Sequence, residues 1–133
     1  KNKMKIRLKM ARIQILLKLF GFYNFIQPNS SNVLTTTEMK LLAVFCDLPE
    51  KYKYARFSLH AKKKAAQIYA ELFGETLSGV NLNNKIYCLL EKGFLYRDED
   101  KVIYLKPFLQ SALDELNTSK TMELTVTLDV QDS

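Results

Sequence analysis

Between Ser78 and Leu105 the apolar positions change their period partway along. Leu82, Ile86, Leu89 and Leu90 fall on one helical face. Ser78 offers a hydroxyl to an orphan N–H of the first turn. Gly93 follows the last helical residues and suits the left-handed conformation that ends a helix. Two short β-prone runs come next, 94–97 and 102–105, joined by the polar stretch Asp98-Glu99-Asp100-Lys101. That stretch has the length of a hairpin turn. The pattern predicts a helix running straight into a hairpin.

Upstream, Thr35 followed three residues later by Glu38 is a capping box. Leu41, Leu42, Phe45 and Leu48 give the helix it starts an apolar face, and Pro49 stops it. Residues 50–56 are polar and read as a loop. Ser58 caps a helix from His60 to Phe73 with Ala65, Ile68, Tyr69, Leu72 and Phe73 inward, and Gly74 ends it. Two helices joined by a short glycine-containing turn make a helix-turn-helix pattern.

The ends are less regular. Ile6, Met10, Ile13, Leu16, Leu17 and Phe20 favour a helix from about residue 5 to Gly21, while Met4, Ile6, Leu8 and Met10 alternate with cations as a strand at 4–9 would. Phe22, Tyr23, Phe25 and Ile26 are too apolar to hang free and are expected to dock. Gln27–Asn32 is a linker. Pro107 opens a last helix with Leu109, Leu113 and Leu116 on its stripe. Met122, Leu124, Val126, Leu128 and Val130 then alternate strictly with polar residues, a strand that needs a partner.

From Leu34 to Leu116 the chain resembles a winged helix-turn-helix, in particular MarR-like regulators and the small winged-helix proteins of phages. The stretches that carry the resemblance are LTTTEMKLLAVF at 34–45, KKAAQIYAELFG at 63–74, LSGVNLNNKIYCLLEKGFLYRDED at 77–100 and VIYL at 102–105. The resemblance implies a winged helix-turn-helix, and the flanking patterns add an extra N-terminal basic helix and a C-terminal β-strand, an α+β fold. With the flanking segments read from their own patterns, the chain divides into a basic amphipathic segment and linker at 1–32, the winged domain at 33–117, and an acidic strand and tail at 118–133. The resemblance also implies that the 78–92 helix enters the major groove of duplex DNA. Asn81, Asn83, Asn84 and Lys85 would then face bases, because Asn can pair with both adenine N6 and N7. Ser78 at the helix start, Lys62, Lys63, Lys64 and Arg97 would lie on phosphates. Against this reading, the wing tip Asp98-Glu99-Asp100 is acidic where many relatives carry cations.

Charge sharpens the picture. The net charge is +6, yet residues 1–37 hold seven cations and no anion, whereas residues 107–133 hold one cation and five anions. A basic arm with an apolar stripe is suited to docking on a partner. Lys5, Arg7, Lys9 and Arg12 on that arm, with Leu124, Val126 and Leu128 on the strand, are the candidate docking residues toward self or another protein.

Catalysis has little support. One histidine, scattered glycines and two cysteines without a CxxC pair yield no nucleophilic triad, phosphate loop or zinc spacing. No catalytic residue, metal or cofactor is expected. Cys46 and Cys88 read as reduced buried thiols. No apolar run reaches the roughly 18 residues of a membrane span. Gln14 and Lys18 interrupt the apolar stretch near the start, and no small-residue cleavage site follows, against a signal peptide. The sequence therefore leads to a non-enzymatic DNA-binding protein, a transcriptional regulator or DNA-organising factor. Its alternative is a winged-helix interaction protein, an accessory component of a phage particle or other large assembly. The expected location is the cytoplasm of a bacterial or phage-infected cell, or a virion.

Overall fold

Three helices begin on a hydroxyl group that accepts a backbone N–H. The computed structural model describes residues 2–116 and 118. Thr35 Oγ1 accepts from the Glu38 N–H at 3.2 Å, Ser58 Oγ from the Ala61 N–H at 3.2 Å, and Ser78 Oγ from the Asn81 N–H at 3.1 Å. Each satisfies a donor that has no partner within the first turn. Glu38 completes the capping box by accepting from the Thr35 N–H at 2.8 Å.

The helices are α1 (Asn2–Ile26), α2 (Thr36–Cys46), α3 (Leu59–Phe73) and α4 (Gly79–Glu91), followed by strands β1 (Leu95–Arg97) and β2 (Ile103–Leu105). A fifth helix, α5, covers 107–116. Among the described residues, five helices and one small antiparallel sheet make an α+β fold. In the sheet Leu95 faces Leu105, Tyr96 faces Tyr104 and Arg97 faces Ile103. Its turn is held by Asp98, whose Oδ1 accepts from the N–H groups of Asp100 and Val102, both at 2.9 Å. Lys101 takes a left-handed φ of 65° there. Gly74 (φ 69°) and Gly93 (φ 85°) end α3 and α4 in the same region, where a Cβ would be strained.

One apolar core joins these elements. Leu41 from α2, Ile68 from α3, and Leu82, Ile86 and Leu89 from α4 are all buried in it. The hairpin adds Phe94, Leu95 and Leu105, and α5 adds Leu109 and Leu113. α1 belongs to the same core through Ile13, Leu16 and Phe20, and it packs on α2. Ring contacts extend the packing: Phe45 lies 4.6 Å from Phe57, and Tyr23 lies 5.6 Å from Phe108 and 6.3 Å from Phe94, centroid to centroid.

The favoured helix forms and already runs from Asn2, so the alternative strand at 4–9 is absent. Two expectations for α1 need correcting. Gly21 does not end it. A Cβ at Gly21 would meet nothing within 4 Å, so it is an open helical position. Buried Phe20 before it and inward-turned Tyr23 after it hold the helix across a residue of poor intrinsic propensity. Of the four apolar residues expected to dock, only Tyr23 does. Phe22, Phe25 and Ile26 are exposed, Phe25 by 83%.

The linker is tied down rather than loose. Asn24 Nδ2 donates to the Leu34 carbonyl at 3.0 Å, and its Oδ1 accepts from the Leu34 N–H at 2.8 Å. Within the linker, Ser30–Asn32 forms a 3-10 turn capped by Asn29. Cys46 is buried as expected, but Cys88 is only half-buried. Leu124, Val126 and Leu128, and the strand expected at 122–130, lie outside the described residues.

Candidate nucleic-acid interface

Where the start of α3, the exposed side of α4 and the hairpin meet, they form three adjoining clefts. The central one has a volume of about 370 Å³ and is lined by Lys62, Asn83, Asn84, Tyr87, Arg97 and Ile103, with Ile86 at its base. A second, of about 260 Å³, lies toward the α3–α4 turn and adds Lys63, Leu59 and Gly79. A third, of about 500 Å³, lies toward the hairpin tip and adds Lys101 and Val102. Lys62 lines all three.

Helical geometry explains which α4 residues take part. Asn83 and Asn84 precede Tyr87 by four and three positions, so the three share a face. Leu82, Ile86 and Leu89 occupy the opposite, buried side. On the hairpin, Arg97 and Ile103 are cross-strand partners and face the helix together.

The electrostatics of this face are one-sided. Lys62, Lys63, Arg97 and Lys101 line the clefts, and no carboxylate does. The acidic hairpin tip lies beyond them. One of its three carboxylates, Asp98, is held by the amides of its own turn. Partial burial, and then the negative charge of Asp98, push the Tyr104 phenol above its ordinary value.

Not every sequence-predicted residue joins this face. Lys62, Lys63, Asn83, Asn84 and Arg97 do. Ser78 is spent as the α4 cap. Asn81 is exposed but does not line the clefts, and Lys85 is half-buried on another side of the helix. Lys64 is half-buried and does not line them either. Lys92, a possible cation of the same helix, is bonded to Glu38 and Val33. Sequence reasoning missed Tyr87, although its spacing from Asn83 and Asn84 was a sufficient signal. It also missed Lys101, which only the closed turn brings round.

The candidate docking residues divide as well. Lys5 and Arg7 are exposed and Lys9 is half-buried. Arg12 is used internally: its Nε and Nη2 donate to the two oxygens of Asp47 at 2.9 and 3.2 Å, fastening α1 to the end of α2. Among the described residues no helix is long and apolar enough to cross a membrane. No family model, curated protein or solved structure matches the chain.

Proposed function

We propose that this chain is a non-enzymatic DNA-binding protein of the winged helix-turn-helix type, a regulator or DNA-organising factor acting inside a bacterial or phage-infected cell. The observation that carries the reading is the central cleft: Lys62 from α3, Asn83 and Asn84 from α4, and Arg97 from the hairpin converge there without a carboxylate. α4 would lie in the major groove with Asn83 and Asn84 toward base edges. Lys62, Lys63, Arg97 and Lys101 would neutralise phosphates on either side. Tyr87, exposed and lining the same cleft, suits a sugar or phosphate contact.

The test is binding to random duplex DNA over a range of salt concentrations. A phosphate-contacting protein loses affinity steeply as salt rises, with a log–log slope of about 0.9 per contact. Absence of binding at about 50 mM salt, where such contacts are strong, removes the reading.

One observation favours the second reading, an interaction protein of a larger assembly. Phe22, Phe25 and Ile26 form an exposed apolar patch at the end of α1, and Met4 and Ile6 are exposed among the cations near its start. Exposed apolar clusters of this kind mark partner surfaces. Under this reading, replacing Phe25 and Ile26 by serine abolishes assembly and leaves DNA affinity unchanged.

A further inference from the structure

The hairpin has a second side. Tyr96 and Tyr104 form a cross-strand pair, 5.7 Å between ring centroids, on the face opposite Arg97 and Ile103. They wall a further cleft of about 370 Å³, lined also by the 53–56 loop and the start of α5, which shares Tyr54 and Tyr104 with the cleft near the hairpin tip.

Arg56 also lines this cleft, and only 7% of it is exposed. Its Nη1 donates to the carbonyls of Phe45 at 3.0 Å and Cys46 at 3.2 Å, at the end of α2. Those bonds fix the guanidinium. Nε and Nη2 have no acceptor among the described residues. The one fully enclosed side-chain nitrogen or oxygen left without a partner there is the Tyr69 hydroxyl, so these two nitrogens keep some exposure on a residue that lines the cleft. Arg56 also joins no ion pair among the described residues. The neighbouring Cys46 thiol is pushed up to about 12 by burial and supplies no countercharge.

A buried cation held at one end and unpaired at the other calls for an anion. Nε and Nη2 form one edge of the guanidinium, the edge that takes a carboxylate in two parallel hydrogen bonds. Arg12 uses that same edge on Asp47 elsewhere in this protein. No carboxylate lines the cleft, and its other cation, Lys53, is paired with Glu50 at 3.9 Å. The Tyr54, Tyr96 and Tyr104 rings supply flat apolar walls. The volume is at the small end of the roughly 300–1,000 Å³ of ligand sites, enough for one ring.

We propose that this cleft binds a small anion carried on a single flat ring, an aryl carboxylate or aryl phosphate, with Arg56 taking the anionic group and the Tyr96–Tyr104 pair the ring. The proposal does not depend on DNA binding.

The test titrates the full chain with benzoate, phenyl phosphate and neutral benzamide, followed by NMR. Saturable shifts at Tyr96, Tyr104 and the Gln110 side chain are expected with at least one anion, and about tenfold weaker binding with benzamide. The tighter of the two anions identifies the acid group. Because Arg56 also satisfies α2 carbonyls, the mutational check is Ser111→Phe, which fills the cleft from an exposed position and should abolish the shifts. No saturable shift with either anion, equal binding of benzamide, or unchanged binding in Ser111→Phe overturns the proposal.

Discussion

The Lys92 ammonium donates to the Glu38 carboxylate at 2.5 Å and to the Val33 carbonyl at 2.9 Å, joining the end of α4 to the start of α2. The same Glu38 oxygen accepts from the Thr35 N–H, so one carboxylate is at once capping-box residue and ion-pair partner. Glu38 is only 2% exposed. Removing one member of such a pair leaves an uncompensated charge in a low-dielectric site. Lys92→Met should therefore destabilise the fold by about 3 kcal/mol. Adding Glu38→Gln to it should recover a large part of that loss, since no charge is then stranded. Urea unfolding of the two single variants and the double variant measures the coupling.

The pair also predicts acid lability. Burial raises the Glu38 carboxyl's pKa, but the hydrogen bonds from Lys92 and Thr35 outweigh it and hold the group below its ordinary value of 4.5. A carboxyl with a depressed folded pKa contributes stability that is complete above the unfolded value and lost as pH falls through the folded one. Stability should thus decline as pH drops below about 4.5, and Glu38→Gln should flatten part of that decline. Parallel slopes for wild type and variant in urea unfolding from about pH 6 to pH 3 would contradict the assignment.

The elements that local rules describe well were legible in the sequence. Thr35, Ser58 and Ser78 each cap where their hydroxyls precede an apolar helical face, and Gly74 and Gly93 end α3 and α4. Leu82, Ile86 and Leu89 are buried as their spacing implies. What failed depended on distant partners. Nothing local separates Arg12 or Lys92 from a free surface cation, because Asp47 and Glu38 lie far away in sequence. Arg56 reads as one more charge in a polar loop until the α2 carbonyls close over it. Gly21 reads as a stop because propensity alone argues for one, and contacts on either side decide otherwise.

Two glycines should respond in opposite senses to alanine. Gly21 lies inside α1 with open space around it. Gly21→Ala should stabilise the protein by about 0.5–1 kcal/mol, because alanine loses less backbone entropy on entering a helix. Gly93 has φ 85°, so Gly93→Ala should destabilise by about 1 kcal/mol or more even though no neighbouring atom blocks its Cβ. Thermal unfolding of both variants checks the contrast.

The two thiols should differ sharply in reactivity. Burial pushes Cys46 up to about 12, with Arg56 opposing and Asp47 adding to the effect. Only about one part in ten thousand of it would be thiolate at pH 8, and the thiolate is the reactive form. Cys88 is half-buried on α4. A disulfide-exchange reagent added to the native protein should titrate Cys88 alone, and Cys46 should appear only on adding denaturant. Two thiols reacting together in the native state would mean that the end of α2 opens far more readily than its packing implies.

The interface prediction separates cations by geometry rather than by sequence proximity. Lys62, Lys63 and Lys64 are consecutive, yet Lys62 and Lys63 line the clefts and Lys64 does not. Lys62→Ala and Arg97→Ala should each weaken duplex binding across sequences and lower the log–log salt slope by about one. Lys64→Ala and Lys85→Ala should leave both unchanged. Asn83→Ala and Asn84→Ala should leave the slope unaltered and instead erase preference among sequences, costing about 1–3 kcal/mol on a favoured site. Fluorescence anisotropy with a random duplex and a selected one, at several salt concentrations, resolves both effects. If Lys64→Ala lowers the slope as much as Lys62→Ala does, charge alone governs binding and the cleft has no part in it.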